Sequence, residues 1–313
     1  MKLQQLRFLV EVERRGLNIS AAAEALHTSQ PGVSKQIALL EAELGLTIFE
    51  RAGKRLTGIT APGRAVLAMA QRILGEAQNM KRVGEDFAAE VRGELSIATT
   101  HTQARYTLPR VIKEFVGQHP GVRLHIQQGS PQQVAGWVLD RSADLGIATE
   151  ALDRYDGLLT LPCFQWAHLV VTPQGHPLLA RQPLTLASLA EYPLITYDAT
   201  FTGRSRIDRA FERQQLRPNV MLTAIDSDVI KTYVELGLGV GIIAGMAFDP
   251  ERDTGLAALS ATHLFEGNTT RVAFRRAAWL RRHEFDFMQL LAPQLNRQVI
   301  EATLRADGAD PGL

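Results

Sequence analysis

The sequence predicts a multidomain chain, an all-α N-terminal part followed by a larger α/β part. Three observations carry the prediction. At 313 residues the chain is long for a single core. Up to about residue 90 the apolar residues recur at helical spacing. Beyond Gly93 short β-branched runs alternate with amphipathic stretches, the pattern of helices packed on mostly parallel sheets.

The N-terminal elements follow in order. Leu3, Leu6, Phe8, Leu9, Val10 and Val12 give a first helix one apolar face, and Gly16 ends it. "NISAAAEALHTSQPGVSKQIALLEAELG" then reads as helix, short turn, helix. Asn18 or Ser20 suits the first cap, and Thr28 or Ser29 the second. Pro31 falls in the first turn of the second helix, where its missing N–H costs nothing. Val33, Ile37, Leu40 and Leu44 are spaced to face inward. That leaves Gln30, Ser34, Lys35 and Gln36 on the outer face. In "TIFERAGKRLTGIT", Ile48 and Phe49 look like core anchors, and Arg51, Lys54 and Arg55 flank Gly53 as in a short basic hairpin or wing.

A long helix begins at Thr60, with Pro62 in its first turn. Val66, Ile73, Met80 and Phe87 recur every seven residues, and Ala70, Ala77 and Gly84 follow the first three by four. Such a seam suits another helix, most simply that of a second subunit.

In the α/β part, "ELSIA" precedes a helix around 104–117 and "VRLHIQ" one around 131–140. "YPLITY" precedes a helix around 203–214 and "NVMLTAI" one around 227–236; a last helix covers about 280–295. "ADLGIAT", "LLTLPCFQWAHLVVTP", "GVGIIA" and "TRVAFR" are further strands. Some 200 residues suit two small lobes, with ligands expected at strand ends and helix N-termini. The final "RADGADPGL" reads as a frayed tail.

Composition narrows the function. The net charge is only +1, so any basic surface is local. One cysteine, Cys163, rules out an intrachain disulfide framework, and its strand context favours a buried structural thiol. No apolar run spans a membrane and the N-terminus lacks a signal-peptide block, so a cytoplasmic protein is expected. The chain has no G-x-S-x-G, H-E-x-x-H or Walker motif, and its histidines lack metal-ligand spacing. No catalytic residue, cofactor or metal is therefore expected. "GLGVGIIAG" resembles a dinucleotide fingerprint, but its glycines follow a helix and precede a strand, the reverse of the order that motif needs.

Two binding sites remain. Gln30, Ser34, Lys35 and Gln36 are suited to base edges, and Thr28, Ser29, Arg51, Lys54 and Arg55 to DNA phosphates. The alternative is a helical hairpin with a solvated charged face. The second site starts from "ATTHTQARYTLPR", a polar run at a strand end. A plain helix cap would explain one threonine. "IATE" with Thr149 and "FTGRS" with Thr202 and Arg204 bring polar groups to two further element ends, which favours a receptor for a small anion. An α/β enzyme acting on such an anion, or a solute-binding protein with a helical extension, stays open on these grounds.

The stretch "AAAEALHTSQPGVSKQIALLEAELGLTIFERAGKRLTGITAPGRAVL" resembles the winged helix-turn-helix of LysR-type transcriptional regulators, through its alanines, S-Q-P-x-V-S, LE-x-x-LG and IFER. "LGLGVGIIA" is similar to a segment of that family's effector domain. "IATTHTQARYTLP", "QGSPQQ", "IATEAL", "LPCFQW", "VVTPQGHPL" and "FTGRS" resemble its branch governing sulfur assimilation and cysteine biosynthesis. The resemblance runs to about residue 295. It implies a non-enzymatic activator that binds promoter DNA as a homodimer or homotetramer and has RNA polymerase as a further partner. It implies a winged helix-turn-helix at 1–59 with Pro31 among its DNA-facing residues, a dimerising linker helix at 60–92, an effector domain at 93–295 and a tail at 296–313. The effector domain would have a periplasmic-binding-protein topology, with lobe one at about 93–161 and 268–295 and lobe two at about 162–267. The implied effectors are O-acetylserine or N-acetylserine, with sulfide, thiosulfate or sulfate opposing them or occupying the site. By the same resemblance Thr100, Thr102, Gln103, Thr149 and Thr202 line the site, with Trp166, Arg204 and Ile243 to Gly245 nearby.

Overall fold

The computed structural model describes residues 1–53, 55–86, 93–276 and 278–306, without the side chains of residues 85, 86, 150 and 202. The chain forms two compact units, Met1–Phe87 and Ala88–Leu313.

In the first unit, helices α1 (Leu3–Arg14), α2 (Ile19–Ala25) and α3 (Gln30–Leu44) precede a hairpin of β1 (Phe49–Ala52) and β2 (Arg55–Ile59), then the long α4 (Ala61–Asp86). Of the proposed caps, Asn18 accepts from Ala21 N, Ser29 from Gly32 N and Thr60 from Gly63 N. Gly45 closes α3 in the left-handed conformation. Leu9, Val33, Ile37, Leu40, Ile48 and Phe49 are fully enclosed in one core. Leu44, expected to face inward, is 38% exposed, because it lies in the last turn beyond the reach of that core.

The second unit has two five-stranded sheets. Its elements are β3 (Gly93–Thr99), a π-helical turn (Gln103–Thr107), α5 (Leu108–Gln118), β4 (Val122–Gln128), α6 (Pro131–Leu139), β5 (Leu145–Thr149) and β6 (Leu158–Trp166). There follow β7 (His168–Pro173), α7 (Leu186–Ala190), β8 (Leu194–Tyr197), α8 (Thr202–Arg213), β9 (Val220–Ala224), α9 (Ser227–Glu235), β10 (Val240–Ala244) and β11 (Leu256–Ser260). The last are β12 (Asn268–Arg275), α10 (Arg282–Leu291) and α11 (Arg297–Ala306). Lobe one orders its strands β4-β3-β5-β12-β6, and lobe two β11-β7-β10-β8-β9.

The run "LLTLPCFQWAHLVVTP" is two strands in different sheets. β6 stays paired with β12 as far as Trp166, so the chain leaves lobe one at Ala167 rather than after residue 161. The expected tail also differs. Residues 297–306 form α11, whose Ile300 and Leu304 are buried in the core of lobe one. The glycines of "GLGVGIIAG" make the helix-to-strand turn: Gly237 has φ +76°, and a Cβ on Gly239 would stand 2.4 Å from Pro193 O. Among the described residues, no helix is long and apolar enough to cross a membrane.

Candidate functional sites

In the first unit, Thr28, Ser29, Gln30, Pro31 and Lys35 are exposed at the start of α3, and Ser34 and Gln36 are half-buried there. The α3 N-terminus and the hairpin meet in one groove. Gln30, Arg55 and Thr57 line it together with Arg15, Asn18 and Ser20, which sequence reasoning did not assign to DNA. Arg51 is exposed but already engaged: its guanidinium is 2.9 Å from Glu41 Oε2, while Glu41 Oε1 accepts from Ile48 N and Phe49 N. Lys54 lies outside the described residues.

The second site is a narrow cleft between the two lobes, with a cavity volume of about 30 Å³. From lobe one it is lined by Thr100, Thr102, Gln103, Pro131, Thr149 and Trp166, and from lobe two by Tyr197, Phe201, Gly203 and Ala244. The polar residues stand where β3, β5 and β6 end. Pro131 and Gly203 lie in the first turns of α6 and α8, whose leading N–H groups carry the positive end of the helix dipole. None of these lining residues is charged.

Of the residues expected at the effector site, Thr100, Thr102, Gln103, Thr149, Trp166 and Ala244 line this cleft. Thr202 opens α8, but its side chain lies outside the described residues. Arg204 is turned to structural work: Nε is 2.7 Å from Asp208 Oδ1 and Nη1 donates to Tyr197 O at 3.0 Å. Gln103 is buried and its amide is committed, donating to Thr270 Oγ1 at 3.0 Å and accepting from Thr107 Oγ1 at 2.9 Å. It shapes the wall. The indole Nε1 of Trp166 is enclosed with no hydrogen-bond partner.

Tyr197, missed from the sequence, is the central polar group of lobe two. Its hydroxyl accepts from Ala244 N at 2.8 Å and is 2.7 Å from Ser227 Oγ. Burial holds its pKa above the ordinary phenol value, so it stays neutral. Its place at the end of β8 was the available signal, since ligands gather at such ends. Cys163 is buried, and desolvation pushes its thiol up to about 12, as befits the inert structural role expected of it.

A winged helix-turn-helix joined to a two-lobed α/β module with a cleft defines ligand-responsive regulators of transcription. Comparison with known proteins agrees. Residues 3–64 match the family model "Bacterial regulatory helix-turn-helix protein, lysR family", and residues 88–296 match "LysR substrate binding domain". The chain belongs to the LysR family and is a DNA-binding transcriptional regulator. It is 55% identical over 305 residues to the HTH-type transcriptional regulator SsuR of Burkholderia cenocepacia, covering 97% of this chain and 99% of that one. It is also 55% identical over 307 residues to CysB of the same organism, covering 98% of each. Among solved structures, the cofactor-binding domain of the Cbl transcriptional regulator superposes with a TM-score of 0.66 at 44% identity, covering 69% of this chain and 94% of that domain.

Proposed function

We propose that this regulator controls genes of sulfur assimilation and cysteine biosynthesis in the cytoplasm, and that its cleft binds a small acetylserine-like or sulfur-oxyanion effector. The observation that carries the reading is a lining of hydroxyls and two helix N-termini with no charged side chain. Neutral donors fixed in place suit a compact anion or a zwitterion. Its charge is then met by oriented dipoles rather than by a countercharge. The likeness to SsuR and CysB supports the sulfur role.

The effector touches both lobes and so favours one lobe arrangement by its differential affinity. Occupancy thereby alters promoter binding. On DNA, Gln30, Ser34 and Gln36 face base edges, while Thr28, Ser29, Lys35, Lys54 and Arg55 hold phosphates with Pro31 fixing the helix start; Arg51 contributes after release from Glu41. The protein acts as a homodimer or homotetramer, with RNA polymerase as its partner at activated promoters.

The test is Thr100→Val with Thr102→Val. Titrating N-acetylserine, sulfate and thiosulfate into a promoter footprint should show the effective concentration rise at least tenfold, since each lost hydrogen bond to a charged group costs about 1.5–3 kcal/mol. An unchanged titration would remove these hydroxyls from the site.

A further inference from the structure

The π-helical turn Gln103–Thr107 of lobe one lies against lobe two along its length. Thr107 Oγ1 is 3.4 Å from Met246 Sδ, and Gln103 Nε2 is 3.8 Å from the same sulfur. The Tyr106 ring packs on the buried cluster of Val171, Ile195, Ile230 and Val234, all of lobe two. Its hydroxyl donates to Asp228 Oδ1 at 2.6 Å. Arg105 Nε approaches the other oxygen of Asp228 at 3.3 Å. Lys231 Nζ lies 3.4 Å from Asp228 Oδ1 and 5.3 Å from the centre of the Tyr106 ring. Lys231 is itself fixed, donating to Asp253 Oδ1 at 2.9 Å and Ala247 O at 3.0 Å. Tyr106 is thus a side chain of one lobe seated in the other.

This seat is wired to the cleft. Tyr197 lines the cleft, and its hydroxyl is 2.7 Å from Oγ of Ser227 at the first position of α9. Ser227 stands between Asp226, which caps α9 through Val229 N, and Asp228, which holds Tyr106. A change at Tyr197 reaches Asp228 through Ser227, its neighbour at the helix start.

We propose that Tyr106 and Asp228 form an inter-lobe clasp that sets how readily the lobes close, making them positioning residues for the effector response. The clasp rests on the reading of the cleft as the effector site only for that response; its bond between the lobes is independent of it. His101, Asp226 and Asp228 also bring a ring nitrogen and two carboxylate oxygens within 4.8 Å of one another, a donor set that suits a divalent cation. The Asp228 oxygens, however, already meet Tyr106, Arg105 and Lys231, two of them cations. Positive charge is supplied by the protein itself, which favours the clasp.

The experiment compares the full chain with Tyr106→Phe, Asp228→Asn and the double variant. The first readout needs no effector: backbone hydrogen exchange of α9 and the 103–107 turn. Each single variant is expected to speed exchange by about tenfold, and the double by little more than the stronger single, because bonded partners are not additive. The second readout is the half-maximal concentration of N-acetylserine, sulfate and thiosulfate in promoter footprinting. It should shift about tenfold while effector-free promoter affinity stays within twofold, a split that simple destabilisation would not give. Unchanged exchange, or fully additive effects on it, would overturn the clasp. Faster, non-additive exchange in a protein whose wild type answers none of the three probes would support the clasp and fail the effector reading instead. Sensitivity of either readout to EDTA or added Zn²⁺ would assign His101, Asp226 and Asp228 to a metal and overturn the proposal.

Discussion

At the scale of single residues, His168 shows how burial alone fixes a protonation state. Its ring is wholly enclosed between Trp166 and Phe265, with centroids 5.3 and 5.5 Å away and both edge-on. Neither ring nitrogen has a hydrogen-bond partner, and desolvation lowers the pKa from 6.5 to about 4. Between those two values the unfolded chain binds a proton that the native ring refuses, so stability falls as pH drops from 6.5 to about 4 and this contribution then levels off. Replacing His168 with Gln should reduce the stability lost between pH 7 and pH 4.5 by about 2 kcal/mol, read from urea unfolding followed at both pH values. Equal losses in the two proteins would show that His168 is not the group responsible. The same ring limits its neighbour: a Cβ on Gly203 would stand 3.0 Å from His168 Nε2, so glycine at the start of α8 lets the cleft wall and the histidine pack closely.

Elements were legible from sequence to the extent that their signals are local. Caps at Asn18, Ser29 and Thr60, the proline-started helices and the alternation of strand and helix depend on neighbours within a few residues, and the structure forms them. What escaped depends on distant partners. α11 is the exception: its signals are local, with Asn296 accepting from Val299 N at its start and Ile300 and Leu304 one turn apart on the face that lobe one buries. The break at Ala167 splits one continuous apolar run because two sheets compete for it. In the cleft, Thr100, Thr102 and Thr149 were found as polar groups at element ends and Trp166 and Ala244 came only with the family resemblance, whereas Phe201 and Pro131 carry no polar signature. Arg204 was misjudged because its nearest carboxylate, Asp208, lies one helical turn away and captures it.

The heptad seam of α4 is a further element-scale case. Ile73 and Met80 are 38% and 76% exposed, while Leu67 and Ala70 are buried in the core of their own unit. Phe87, the last large residue of the proposed seam, lies outside the described residues. Two exposed apolar residues one heptad apart on a long helix fit a partner helix. Ile73→Lys with Met80→Lys should raise the dimer dissociation constant at least tenfold in analytical ultracentrifugation, with the far-ultraviolet spectrum retained. An unchanged association state would place the dimer contact elsewhere.

At the scale of the whole molecule, a net charge of +1 conceals two different electrostatic tasks. DNA recognition needs local cations, and Lys35 and Arg55 are both exposed on the described surface of the first unit. Replacing either with Ala should weaken promoter binding across all sequences and lower the slope of log affinity against log salt by about one. Gln30→Ala should instead leave the salt slope unchanged and relax discrimination at one base position, costing about 1–3 kcal/mol there. Fluorescence anisotropy over a salt series, with specific and scrambled duplexes, separates the two. A loss of specificity on changing Lys35 would reverse the assigned roles.

The charge-free lining of the cleft bears on which anion it admits. Inorganic phosphate keeps at least one proton at neutral pH, and that proton asks for an acceptor, best met by a carboxylate. Among the described residues that line the cleft there is no aspartate or glutamate. On the proposed reading of the cleft as an anion site, a fully deprotonated sulfur oxyanion brings only acceptors and asks only for donors. Threonine hydroxyls and helix starts would provide these, so that two tetrahedral anions of similar size would be told apart by a single hydrogen.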